Sequence, residues 1–138
     1  MIDRIEWDGK LLALIIRSGF EEDGANFFTS NDNPLQLGIL KYKKGIEIRP
    51  HVHKPSKKVV DGVQEVLHIN YGMIAVDFYD EEGERVMSNI LSSGDTILLI
   101  AGGHGFRMLD DSKMIEVKQG PYFGVDEDKT YIGGRENE

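Results

Sequence analysis

Short apolar runs separated by turn residues about every ten positions, with no window that holds an apolar face at helical spacing, confine this chain to an all-β architecture. The spacing predicts strands over residues 10–17, 35–42, 46–53, 64–70, 73–79, 84–91, 96–100, 104–109 and 114–119. Between them lie turn clusters such as Lys43-Lys44-Gly45, Asp80-Glu81-Glu82-Gly83, Ser92-Ser93-Gly94-Asp95 and Ala101-Gly102-Gly103. The run KLLALIIR (10–17) has no polar alternation, so it suits a strand buried on both sides or shared with a second subunit. Residues 21–34 read as turn and loop, with Phe27 and Phe28 expected to dock onto the core.

A chain of 138 residues is long enough for one hydrophobic core, so 1–138 reads as a single domain, its polar tail (123–138) expected to fray. The net charge of −8 disfavours nucleic acid and anionic membrane as partners. The absence of cysteine excludes disulfides, thiolate nucleophiles and thiolate metal sites, so any metal must be held by nitrogen and oxygen. The charged N-terminus lacks the layout of a signal peptide, and the apolar run 11–16 is too short to span a bilayer; a cytoplasmic location is the expectation. A homodimer is expected too, with the strand over 10–17 pairing across a two-fold to protect an exposed edge.

The chemistry concentrates around Pro50-His51-Val52-His53. In a strand, alternation puts Glu47, Arg49, His51 and His53 on one face and Ile46, Ile48 and Val52 on the other. Pro50 cannot donate to a ladder, which restricts such a strand to an edge or rim. Two imidazoles from one face, Glu65 from the next strand and His104 from a distant one can converge on one divalent cation. Neutral imidazole and carboxylate suit Zn, Fe, Mn, Ni or Co. Glu65 can otherwise act as a general base or hydrogen-bond a histidine. Arg49 can hold an anionic group of a ligand or pair with Glu47 or Glu116. Lys54, Lys57 and Lys58 either favour an anionic substrate or form a solvated loop. Phe106 and Met108 alternate with His104 and should line the same cavity, whereas His68 falls on the opposite strand face from Glu65 and is left out of the site.

These residues carry a resemblance. Gly45, then five residues, then His51-Val52-His53, with Glu65 and Gly72 beyond, resembles the first cupin motif (45–72). Gly94-Asp95 through Gly102-Gly103-His104 resembles the second (94–104). The gap from His53 to Glu65 is longer than the family's usual one, Ile100 stands where the family often has proline, and His104 comes one residue early. The resemblance implies a double-stranded β-helix, or jelly-roll barrel, with His51, His53, Glu65 and His104 as ligands of a divalent transition metal (Fe, Mn, Zn or Ni). It implies a metal-dependent protein acting on a small, anionic or sugar-derived molecule, with Glu65 and Arg49 as the catalytic candidates. Oxygenase and isomerase chemistry both occur on this fold, so the reaction type stays open. His51-Val52-His53-Lys54 is also similar to a stretch of metal-free nucleotide-sugar ketoisomerases of cupin type. A non-catalytic ligand-binding cupin is the third reading.

Overall fold

The computed structural model describes residues 1–133. Its strands are β1 (Ile2–Trp7), β2 (Lys10–Ile16), β3 (Gly24–Phe27), β4 (Gly38–Lys41), β5 (Glu65–Tyr71), β6 (Met73–Tyr79), β7 (Arg85–Ser92), β8 (Thr96–Leu99), β9 (Gly103–Met108) and β10 (Lys113–Lys118), followed by a single helical turn, α1 (Val125–Asp128). All pairings are antiparallel. They make a five-stranded sheet ordered β1-β2-β8-β5-β10, a three-stranded sheet ordered β7-β6-β9, and the hairpin β3-β4. The molecule is therefore mostly β, as the spacing of apolar runs requires, and among the described residues no sheet closes on itself.

The period of two along each strand builds two cores on opposite faces of the five-stranded sheet. Ala13, Ile15, Leu67, Ile69, Ile97 and Leu99 point towards the three-stranded sheet, where Ile74, Val76, Phe78 and Leu91 meet them. Leu14, Ile16, Val66 and Leu98 point the other way, and Phe28, Leu35, Leu37 and Ile39 cover them. β2 is thus buried on both faces, which explains its unbroken apolar run. The expected pairing of β2 across a two-fold does not hold, because β1 and β8 occupy both its edges. Two strands lie outside the sequence-based set. β1 is amphipathic only weakly, with Ile5 alone fully buried, and β3 lies inside the expected loop 21–34. Phe28 docks edge-on against Phe20 with ring centroids 5.2 Å apart, but Phe27 faces solvent.

Polar ties hold the turns. Buried Asp95 accepts hydrogen bonds from the Ser18 and Ser92 amides and from Arg17, which also bridges to Asp3. Buried Asp77 accepts two hydrogen bonds from Arg107 at 2.7 and 2.9 Å and one from Ser88. These charge-assisted bonds, above all those from Arg107, hold its carboxyl at about 2. Gly72 turns the chain from one sheet to the other at φ 105°, where a side chain would strike the Asp111–Ser112 backbone.

Residues 46–53 are the main departure. They form no strand; the chain from 42 to 63 is extended or irregular and every residue in it is exposed. Pro50 removes one ladder donor, and five lysines flank the segment, at 43, 44, 54, 57 and 58, opposing burial against an apolar sheet. The tail also differs from expectation as far as 133: α1 forms, Lys118 bridges to Asp128 at 3.1 Å, and Ile132 rests beside Gly103. Residues 134–138 of the expected frayed tail lie outside the described residues.

Candidate functional site

Two of the sequence-selected residues meet at one end of the sandwich. Glu65 opens β5 and shares a face with Leu67 and Ile69, which puts its carboxylate on the inner side of the five-stranded sheet. His104 follows the tight turn at Gly102 and shares a face with Phe106, which packs on the same core. At Gly102, φ is 73° and a Cβ would meet the carbonyl of Tyr79, so the turn that delivers His104 requires glycine. The two inner faces bring His104 Nε2 to 3.5 Å from Glu65 Oε2. The His104 contact is the main reason the Glu65 carboxyl sits below its ordinary range; burial opposes this, and Lys118 and Lys129 add a smaller attraction.

The start of β5 is clamped in place. Gln64 and Asn33 exchange amide hydrogen bonds at 2.8 and 3.1 Å, and the Gln64 backbone N–H donates to Gln119 Oε1 at 2.7 Å. The Gln119 side-chain nitrogen is buried with no partner among the described residues. Sequence reasoning missed these three side chains, since amides in turns carry no motif. Above the pair opens a cavity of about 250 Å³, lined by Asp61, Gln64, Glu65, Ile100, Gly102 and His104 among others. That volume lies just below the usual range for small-molecule pockets.

His51 and His53 do not join this pair. Both sit in the exposed segment, with their rings 5.3 Å apart and nearly perpendicular. His51 Nδ1 donates to the Arg49 carbonyl at 2.7 Å, so in the neutral ring the lone pair lies on Nε2. Arg49 is exposed, outside the cavity lining, and makes no ion pair among the described residues. Lys54, Lys57 and Lys58 are exposed on the same segment. Phe106 lies 5.6 Å from the His104 ring, whereas Met108 is half exposed and outside the lining of this cavity. His68 Nδ1 is 2.8 Å from Thr96 Oγ1, directly across the ladder, a satisfied position within the sheet. Tyr122 is exposed, with Lys118 Nζ 5.2 Å from its ring centre.

The donor chemistry fits a metal in part. Two donors at about 2.1 Å from a tetrahedral ion stand roughly 3.4 Å apart, close to the Glu65–His104 separation. Among the described residues, however, no three His, Cys, Asp or Glu side chains cluster tightly enough to hold an ion. Of the four residues the resemblance implies as ligands, Glu65 and His104 stand together, and His51 and His53 lie on the exposed segment.

Comparison with known families, curated proteins and solved structures finds no match to the chain. No helix among the described residues is long and apolar enough to cross a membrane.

Proposed function

We propose that this chain is a cupin-type jelly-roll protein that binds a small anionic or sugar-derived molecule at the Glu65–His104 end of the sandwich. The observation that carries the proposal is a carboxylate and an imidazole, contributed by two different sheets, standing 3.5 Å apart under an open cavity. Glu65, His104, His51 and His53 would hold a divalent transition metal, Fe, Mn, Zn or Ni, which when bound supplies a Lewis acid for a substrate oxygen. Within this chain, Glu65 stays ionised beside His104, and the cavity walls limit substrate size. Arg49 and the lysines of the 54–58 loop supply positive charge for an anionic group. Metal analysis of protein purified without added metal tests the reading, with an expected content near one equivalent. Less than about a tenth of an equivalent, with none taken up on reconstitution, removes the metal.

One observation also favours a metal-free reading. An ionised carboxylate beside an imidazole is by itself a proton-transfer pair, and it is the part of the site already assembled. Turnover of a keto-sugar nucleotide that survives chelation would select this second reading. A homodimer, if formed, would use an outer edge such as β1 or β10, and sedimentation at micromolar concentration detects it.

A further inference from the structure

The net charge of −8 is an average over two unlike regions. Residues 42–63 hold six lysines and arginines against two acids, Glu47 and Asp61, a net charge of +4, so the rest of the chain carries −12. Every residue of this basic arm is exposed, in an extended or irregular conformation. Between its charges stand apolar side chains that also face water, Ile46, Ile48 and Val52 among them. The arm leaves the end of β4, and the outer face of the β3–β4 hairpin continues its character. Pairing sets Ala25 opposite Leu40 and Phe27 opposite Gly38; because Ile39 turns to the core, Phe27 and Leu40 turn to solvent. Tyr42, next to the arm's first lysine, is exposed as well. The stretch from Leu40 to Val63, with Phe27 beside its start, thus joins positive charge to unburied aromatic and aliphatic groups.

We infer that this basic arm, with the outer face of the β3–β4 hairpin, docks on an anionic lipid surface. Lysine and arginine clusters are drawn to anionic headgroups, and exposed aromatic and aliphatic side chains gain by leaving water at the acyl boundary. The acidic body opposes the approach only at short range, because its charge is screened beyond about 8 Å at physiological salt. Doubled back on its two anchored ends, the arm can reach roughly 35 Å from the body, well past that distance. Its backbone has no ladder partners and so cannot enter hydrocarbon. The arm therefore lies among the headgroups, with its lysines on lipid phosphates and only its apolar side chains reaching deeper. Nucleic acid would use the charge but leave those apolar groups in water. A folded acidic protein would need a surface shaped to side chains that no strand or helix holds in place, whereas a bilayer interface accepts them in any arrangement. The inference stands on charge and exposure alone, and it holds whether or not the Glu65–His104 end binds a metal.

Sedimentation of the full chain with vesicles tests this. The vesicles are phosphatidylglycerol and phosphatidylcholine in equal parts, set against phosphatidylcholine alone, at physiological salt and at roughly 1 M, where screening is complete within about 3 Å. The chain should partition onto the anionic vesicles only, and the high salt should release it. Lys43→Gln combined with Lys44→Gln, two positions outside the candidate site, should weaken partitioning about thirtyfold while leaving the thermal midpoint unchanged. Insertion is read separately: Val52→Trp adds a second tryptophan to Trp7, and the emission should shift to the blue on vesicles by more than that of the unsubstituted chain. Absence of partitioning onto the anionic vesicles overturns the inference; binding to soluble polyglutamate in that case makes an acidic polypeptide the occupant instead. Partitioning without the added blue shift overturns it too, since charge alone would then hold the chain on the surface. So does partitioning that the paired lysine substitutions leave intact, which would place the contact elsewhere on the molecule.

Discussion

β2 and residues 46–53 are both rich in β-branched and aliphatic side chains, yet they stand at opposite extremes of burial. From Leu12 to Ile16 every β2 side chain is buried, because each face of the strand meets its own core. In 46–53 the apolar side chains alternate with Glu47, Arg49, His51 and His53, so one whole face is polar and Val52 is 89% exposed. A strand apolar on both faces has one place to go, the middle of the sandwich. A segment with alternate polar side chains gains too little from burial to be drawn into either sheet. The same contrast separates the histidines: His104, with Glu65, is fixed by strands with buried neighbours, while His51 and His53 lie on the exposed segment.

Substitutions sharpen that contrast, and the largest effect belongs to the buried strand. Leu14→Ala should cost about 3 kcal/mol in urea unfolding, through lost burial and a cavity, whereas Val52→Ala should leave the midpoint unchanged within error. A large loss from Val52→Ala would show that the segment is packed, and the contrast would collapse. Next in size is metal affinity. On the metal reading, His104→Ala should weaken Zn²⁺ binding by roughly a hundredfold or more, since it breaks the assembled pair, and His51→Ala by roughly tenfold to a hundredfold, since His51 lies on the exposed segment outside that pair. Equal losses at both positions, read by calorimetry, would mean that the two halves are equally organised.

A smaller effect concerns the sheet that carries β9. The carboxyl of Asp77 is held at about 2, against 3.8 for an ordinary aspartate. A depressed carboxyl stabilises the fold while it is ionised, so its contribution is complete above pH 4 and is lost as pH falls from about 4 towards 2. Asp77→Asn should therefore lower the thermal midpoint by a few degrees at pH 7 and flatten that acid limb, as calorimetry across pH will show. An unchanged limb would assign the acid sensitivity to other carboxylates. The smallest effect is expected at the surface: Lys10→Ala, which breaks the exposed Lys10–Glu81 pair, should leave thermal stability unchanged within error.

Much of the scaffold was legible in the chain because burial pattern and strand period speak directly. The run 73–79 matches β6 residue for residue, and the runs at β5, β7, β8, β9 and β10 differ from the observed strands by a residue or two at their ends. β1 and β3 were not legible. Each is short or weakly apolar, and each exists because a neighbouring edge offers backbone partners that local sequence does not reveal. In the site, Glu65 and His104 could be chosen from motif and parity. The Gln64–Asn33–Gln119 clamp could not, because amides that meet across 31 and 55 positions leave no local trace.

Composition and periodicity alone determined that this is a β protein with an unbroken apolar strand at its centre and only nitrogen and oxygen donors for any ion. Tertiary structure decided which donors stand together. Glu65 and His104 were brought within 3.5 Å because two apolar faces had to be hidden against each other, while the polar face of residues 46–53 felt no such force. Hydrophobic burial places what it can grip, and polar side chains on a segment with no apolar face to hide stay in solvent.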